Sequence, residues 1–195
     1  MQSRPPDRDG TQPDPHTSLT KQRAVVLVEG VSDQRAVEAL AERHGRDLSA
    51  EGISVIAIGG AQAIGRYLSQ YGPAGLDVRL AGLCDAGEEH HFRRAFERSG
   101  VEQHGVFVCN ADLEDELIRA LGAERVLEVV EAEEDLRAFR TLQNEPAWRG
   151  RPVEAQLRRF MGSGGSRKTR YAPLLVRALE PAEIPPPLEG LLAHL

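Results

Sequence analysis

Residues 24–33 read AVVLVEGVSD. Five apolar residues stand in a row, three of them valine, and the run ends abruptly on Glu29-Gly30. A strand that is apolar at every position, not only at alternate ones, is covered on both faces, as the strands of a parallel sheet are. Ser32 has the chemistry of a helix cap, so a helix is expected from about Asp33 to His44, with Val37 and Leu40 turned inward. Glu29 would then sit just beyond the carboxyl end of a buried strand, where open α/β sheets place their functional crevice.

Working outward, the same pattern returns three times. The segments GISVIAIG (52–59), VRLAGLCD (78–85) and VFVCN (106–110) read as strands. Each is followed by a helical pattern: 60–71, stopped by Gly72-Pro73; His90 to Ser99; and Leu113 to Gly122. Strands alternating with helices at short spacing give an α/β fold, a Rossmann-like parallel four-stranded sheet flanked by helices with right-handed crossovers. From about Ala123 the pattern is helical, broken by a Gly/Ser loop over 162–167. The expected organisation is a polar leader over 1–20, too poor in apolar residues to order itself, and a core over 21–122. A helical extension with a basic Gly/Ser loop follows over 123–180, then a Pro-rich tail over 181–195 whose apolar end can pack back on the body.

A chain of 195 residues with 41% hydrophobic residues can build one domain with a real core. No apolar run approaches the roughly 20 residues of a membrane helix, and the first 20 residues lack the apolar stretch of a secretory signal. A cytoplasmic protein without a membrane partner is expected. Cys84 and Cys109 each end an apolar run and read as buried thiols. The net charge of −6 conceals an asymmetry: between Arg149 and Arg177 eight cations face Glu154 alone, a net +7. A basic arm beside an acidic body suits a metal-dependent enzyme acting on a polyanion.

The acids gather at strand ends. Glu29 ends the first strand and Asp33 follows four residues later; Asp85 ends the third, followed by Glu88 and Glu89; the fourth leads to Asp112, Glu114, Asp115 and Glu116. Asp33, Asp112 and Glu114 could each be an ordinary acid at a helix start. Glu29 and Asp85 directly terminate apolar strands, where an uncompensated carboxylate is costly. A divalent cation relieves that cost, and hard oxygen ligands favour Mg²⁺ or Mn²⁺ over zinc.

These segments carry a family resemblance. VVLVEGVSD resembles the glutamate motif of TOPRIM domains, a hydrophobic strand followed by Glu-Gly-x-x-Asp. SVIAIGGAQAI, LAGLCDAGEE and VFVCNADLEDELIRALG resemble the TOPRIM domain of OLD-family (overcoming lysogenization defect) nucleases. The resemblance spans about residues 23–121 and extends more weakly to 179. It implies a metal-associated Glu29 that is also a candidate general acid/base, with Asp33 in support. The family's second motif is Asp-x-Asp; Asp85 matches its first acid, Gly87 occupies the place of the second, and Glu88 or Glu89 is the available replacement. Glu114 resembles the further acid of the OLD-type branch, in competition with Asp112, Asp115 and Glu116. OLD-type nucleases also carry a catalytic lysine in the helical region beyond the sheet, which points to Lys168, one of only two lysines in the chain.

The implied activity is a metal-dependent phosphodiester hydrolase, a nuclease acting on DNA in preference to RNA. Arg158, Arg159, Arg167, Lys168 and Arg170 are the expected nucleic-acid contacts. A catalytically weakened module that binds nucleic acid or a partner protein is the alternative. OLD proteins usually join this domain to an ATPase. The nearest approach to a phosphate-binding loop here is GSGGSRKT (162–169), with Arg167 in place of the last glycine and no preceding strand. A separate ATPase or another protein is therefore the partner to expect.

Overall fold

The computed structural model describes residues 21–163 and 166–195. The expected leader over 1–20 and two glycines of the Gly/Ser loop lie outside the described residues. Four strands, β1 (Ala24–Val28), β2 (Ile53–Ala57), β3 (Arg79–Asp85) and β4 (Val106–Cys109), form one sheet in the order β2-β1-β3-β4. All pairings are parallel. The sheet has the α/β architecture that alternating strand and helix patterns require.

Strand β1 explains its own sequence. Val25 and Leu27 pack into a core with Phe92, Phe96 and Leu68, whereas Ala24, Val26 and Val28 pack into a larger core on the opposite face. All five are buried. Helices α1 (Val31–Arg43), α2 (Ile64–Tyr71), α3 (Glu89–Arg98) and α4 (Leu113–Leu121) follow the four strands. α2 and α3 share the smaller core, and α1 and α4 the larger.

α1 starts two residues earlier than expected. Gly30, still extended, is the residue before the helix, and the Asp33 carboxylate reaches back to accept the Gly30 N–H at 2.8 Å. The cap is thus closed by the third helical residue, not by Ser32. The helix expected over 60–71 is also divided: Ala61–Ala63 form a 3₁₀ turn before α2. The backbone bends there because Gly59 and Gly60 have φ of 75° and 109°, which other residues rarely adopt. Both of their N–H groups bond the Glu29 carbonyl, at 3.1 and 3.2 Å, which fixes the backbone where β1 ends.

The extension comprises α5 (Ala123–Ala132), α6 (Leu136–Asn144), α7 (Val153–Gly162) and α8 (Arg167–Ala178). α8 lies along α1 and also meets α4. Its Tyr171, Ala172, Leu175 and Val176 are buried in the larger core, so extension and sheet share one interior. The tail carries α9 (Pro186–His194), which packs on β3, β4 and α1 with Leu188, Leu191 and Leu192 buried. Cys84 and Cys109 are buried, free thiols in the cores on opposite faces of the sheet.

Candidate metal and phosphate site

The parallel sheet sends the carboxyl ends of β1, β3 and β4 to one edge, and acids follow each. Glu29 Oε1 accepts the Asp85 N–H at 2.8 Å, which ties the end of β1 to the end of β3. Asp85 pairs in register with Cys109, the last residue of β4, so the approach to α4 runs alongside. Asp112 caps α4, its Oδ1 accepting the Asp115 N–H at 2.8 Å. Two residues on, Glu114 is 2% exposed, turned inward beneath the same edge.

The acids press on one another. Burial pushes Asp85 up to about 7, helped by the charges of Glu29, Asp33, Asp112 and Glu114. Burial likewise pushes Asp33 up to about 6 against the lowering Gly30 hydrogen bond, with Glu114 and Glu29 adding to the rise. Glu29 is also raised, by burial first and by Glu88 in addition, although the Asp85 N–H opposes the shift. Among the described residues no donor reaches the Asp85 carboxylate or the buried Oε1 of Glu114.

One ammonium enters this cluster. Lys168, in the first turn of α8, donates to Glu114 Oε2 at 2.8 Å. Burial opposes its charge, but the Glu114 hydrogen bond and the charges of Glu114, Asp112 and Asp33 prevail and raise it, so it stays protonated. The packing of α8 on α1 and α4 carries Lys168 to a site whose acids lie more than fifty residues earlier in the chain.

The structure therefore brings together Glu29, Asp33, Asp85, Glu114 and Lys168, with Glu88 on the rim, where its Oε2 lies 3.0 Å from His91 Nδ1. It separates the competing acids of α4. Asp115 pairs with Arg119, and Glu116 takes Arg119 and the Asn110 N–H, so neither faces the cluster. Asp112 does face it, and the identity of the residue was visible in sequence but not its direction. The arginines divide. Arg158 pairs with Asp112 at 2.7 Å, and Arg159 stands over the Trp148 ring at 5.9 Å. Arg167 lies over Phe160 and donates to the Ser163 carbonyl, while Arg170 and Tyr171 both bond Asp135. Much of the +7 segment is thus matched locally by Asp112, Glu133 and Asp135.

The donors suit a hard divalent cation: carboxylate oxygens, several forced above their usual range, and one buried oxygen without a partner. Among the described residues no three side chains already stand at coordinating spacing.

Residues 22–86 match the family model described as overcoming lysogenization defect protein-like, TOPRIM domain. Among solved structures, the C-terminal region of the Xanthomonas campestris pv. campestris OLD protein is 28% identical, with 89% of this chain and 91% of that one covered and a TM-score of 0.68. The C-terminal region of the Burkholderia pseudomallei OLD protein is 21% identical, with coverages of 89% and 96% and a TM-score of 0.68. No significant match is found among curated proteins. TOPRIM domains in general bind divalent metal ions, and this domain family is of a metal-binding, nuclease type with a general relation to nucleic acid. Residues 22–86 are thus similar to an OLD-like TOPRIM domain, and the backbone of the chain follows the fold of an OLD-protein C-terminal region.

Proposed function

We propose that the protein is a metal-dependent phosphodiester hydrolase acting on nucleic acid, with DNA the first substrate to test. The observation that carries this reading is the convergence of Glu29, Asp33, Asp85, Asp112 and Glu114 around a single protonated lysine. So many carboxylates in a partly desolvated edge repel one another unless a cation joins them. Glu29, Asp33 and Asp85 would hold Mg²⁺ or Mn²⁺, with Glu88 and the free oxygen of Glu114 within the same edge. The bound ion would supply charge neutralisation for a phosphodiester.

The chain's own residues supply the rest. The Lys168 ammonium is a compact donor beside the acids, suited to a phosphate oxygen once it leaves Glu114. Glu29 and Glu114 are the carboxylates placed to orient water or take its proton. Arg158 and Arg159 on α7 would meet the flanking backbone.

Gly87 favours the second reading, a module that binds nucleic acid or a partner without cutting, because the second motif lacks its later acid. Nicking of supercoiled plasmid with Mn²⁺ or Mg²⁺ separates the two. Wild-type protein should nick, and Glu29→Gln, with an unchanged melting temperature, should lose at least a hundredfold in rate. Full activity in Glu29→Gln would put the chemistry elsewhere, and no nicking by the wild type in either metal would leave the binding module.

A further inference from the structure

Next to the acids lies a cavity of about 340 Å³ bordered by Asp112, Trp148, Arg158, Arg159 and Lys168. It is continuous with the candidate site, because Asp112 and Lys168 belong to both. Its walls are mostly apolar, with Trp148 and Ala155 contributing, and its rim is cationic. Such a cleft, within the usual volume range of small-molecule sites, combines a hydrophobic wall with a few polar groups at its mouth.

Trp148 is held firmly. It packs on the larger core, and its carbonyl accepts the Gln156 side chain from α7 at 2.8 Å. The Arg159 guanidinium lies over its ring, 5.9 Å from the centroid, so a base that stacks on this face enters between the ring and the guanidinium by displacing the cation outward. Arg158 is occupied with Asp112, whereas among the described residues Arg159 has no acidic partner.

We infer that this cavity is a stacking subsite for an unpaired nucleobase adjoining the phosphate at the acids, so that the preferred substrate is single-stranded or frayed nucleic acid. The inference rests on the reading of the acidic edge as a phosphodiester site. An aromatic ring takes any base by its face, and the neighbouring cations take the backbone that carries it. A base in an intact duplex already has stacked neighbours on both sides, and entering the cavity would require unstacking it. An unpaired base meets no such cost.

Trp148 is the only tryptophan in the chain, so its fluorescence reports this cavity alone. The full-length protein, in Ca²⁺ to supply a hard cation, is titrated with a short oligothymidylate and with a blunt duplex of equal length. Gels confirm that both remain intact. Saturable quenching by the single strand, at least tenfold tighter than by the duplex, is expected. Anisotropy with a labelled oligonucleotide should show Trp148→Phe close to wild type and Trp148→Ala about tenfold weaker. Binding without quenching, equal affinity for both nucleic acids, or full affinity in a folded Trp148→Ala overturns the subsite. Plasmid nicking run in parallel keeps the two ideas apart. Nicking without quenching removes the subsite alone; quenching without nicking supports the subsite and removes the hydrolase.

Discussion

Glycine at position 87 is not demanded by the backbone. Its φ lies outside the left-handed region, and a Cβ built there meets no heavy atom within 4 Å. An acid two residues beyond Asp85 is therefore sterically permitted. Gly87→Asp should bind Mn²⁺ more tightly than wild type and raise plasmid nicking by about tenfold, the scale of a general contribution from one well-placed charge. Calorimetric titration and a nicking time course check this; unchanged values in both would mean that the second acid is not what limits the site. Residue identity at the site was largely legible in sequence, since Glu29 and Asp85 each stop an apolar strand. Direction was less so. Asp112, Glu114, Asp115 and Glu116 lie within five positions, each helical residue turns by about 100° from the last, and the phase depends on where the cap falls. With Asp112 as cap, Glu114 turns inward and Asp115 outward toward Arg119.

At the scale of elements, β1 was readable because burial on both faces leaves a continuous apolar run. The tail was readable only as an apolar end able to pack back, and its helix α9, with three buried leucines, was not read behind the prolines. What they would pack on was not readable, because β3, β4 and α1 are remote in sequence. The same packing brings His194 against Phe107 and His104, with ring centroids 5.8 and 5.5 Å apart. Burial lowers the His194 pKa, and the nearby His104 and Arg79 charges lower it further, against a rise from the Leu80 backbone. The folded state thus protonates this imidazole less readily than the unfolded chain, which does so near the ordinary value of about 6.5. The sign follows: the unfolded state binds more protons as pH falls through that value, so stability drops on the acid side and recovers above it. Between about pH 7.5 and 5.5 the raised Asp85 and Asp33 act in the opposite sense, binding protons in the folded state and stabilising it as pH falls. The His194 contribution is therefore read by difference: His194→Phe should gain more in melting temperature than wild type over the same fall in pH. An identical pH slope in the variant would place the titrating group elsewhere.

For the molecule as a whole, the acidic edge is a concentration of like charge that the fold tolerates and does not exploit for stability. Lys168 and Arg158 offset part of it, through Glu114 and Asp112. A cation that binds only the folded state should add about 2.7 kcal/mol at a hundred times its Kd, raising the melting temperature by about 5–10 °C at this size. Asp85→Asn should behave oppositely in two respects. Without metal it should melt above wild type, because one repelling charge is gone; with Mn²⁺ it should gain much less. Differential scanning fluorimetry over a Mn²⁺ series tests both, and an undiminished Mn²⁺ increment in Asp85→Asn would remove Asp85 from the ligand set.

The bond from the Asp85 N–H to Glu29 Oε1 makes a backbone proton the witness of a side-chain event. Its resonance frequency in ¹⁵N-labelled protein is set by the charge on the carboxylate it faces. When Glu29 is protonated, neutralised by a cation, or replaced by the amide, that single peak must move, while amides in the middle of β1 serve as silent neighbours. One assigned signal at the junction of two strands would then read out the electrostatic state of the whole edge.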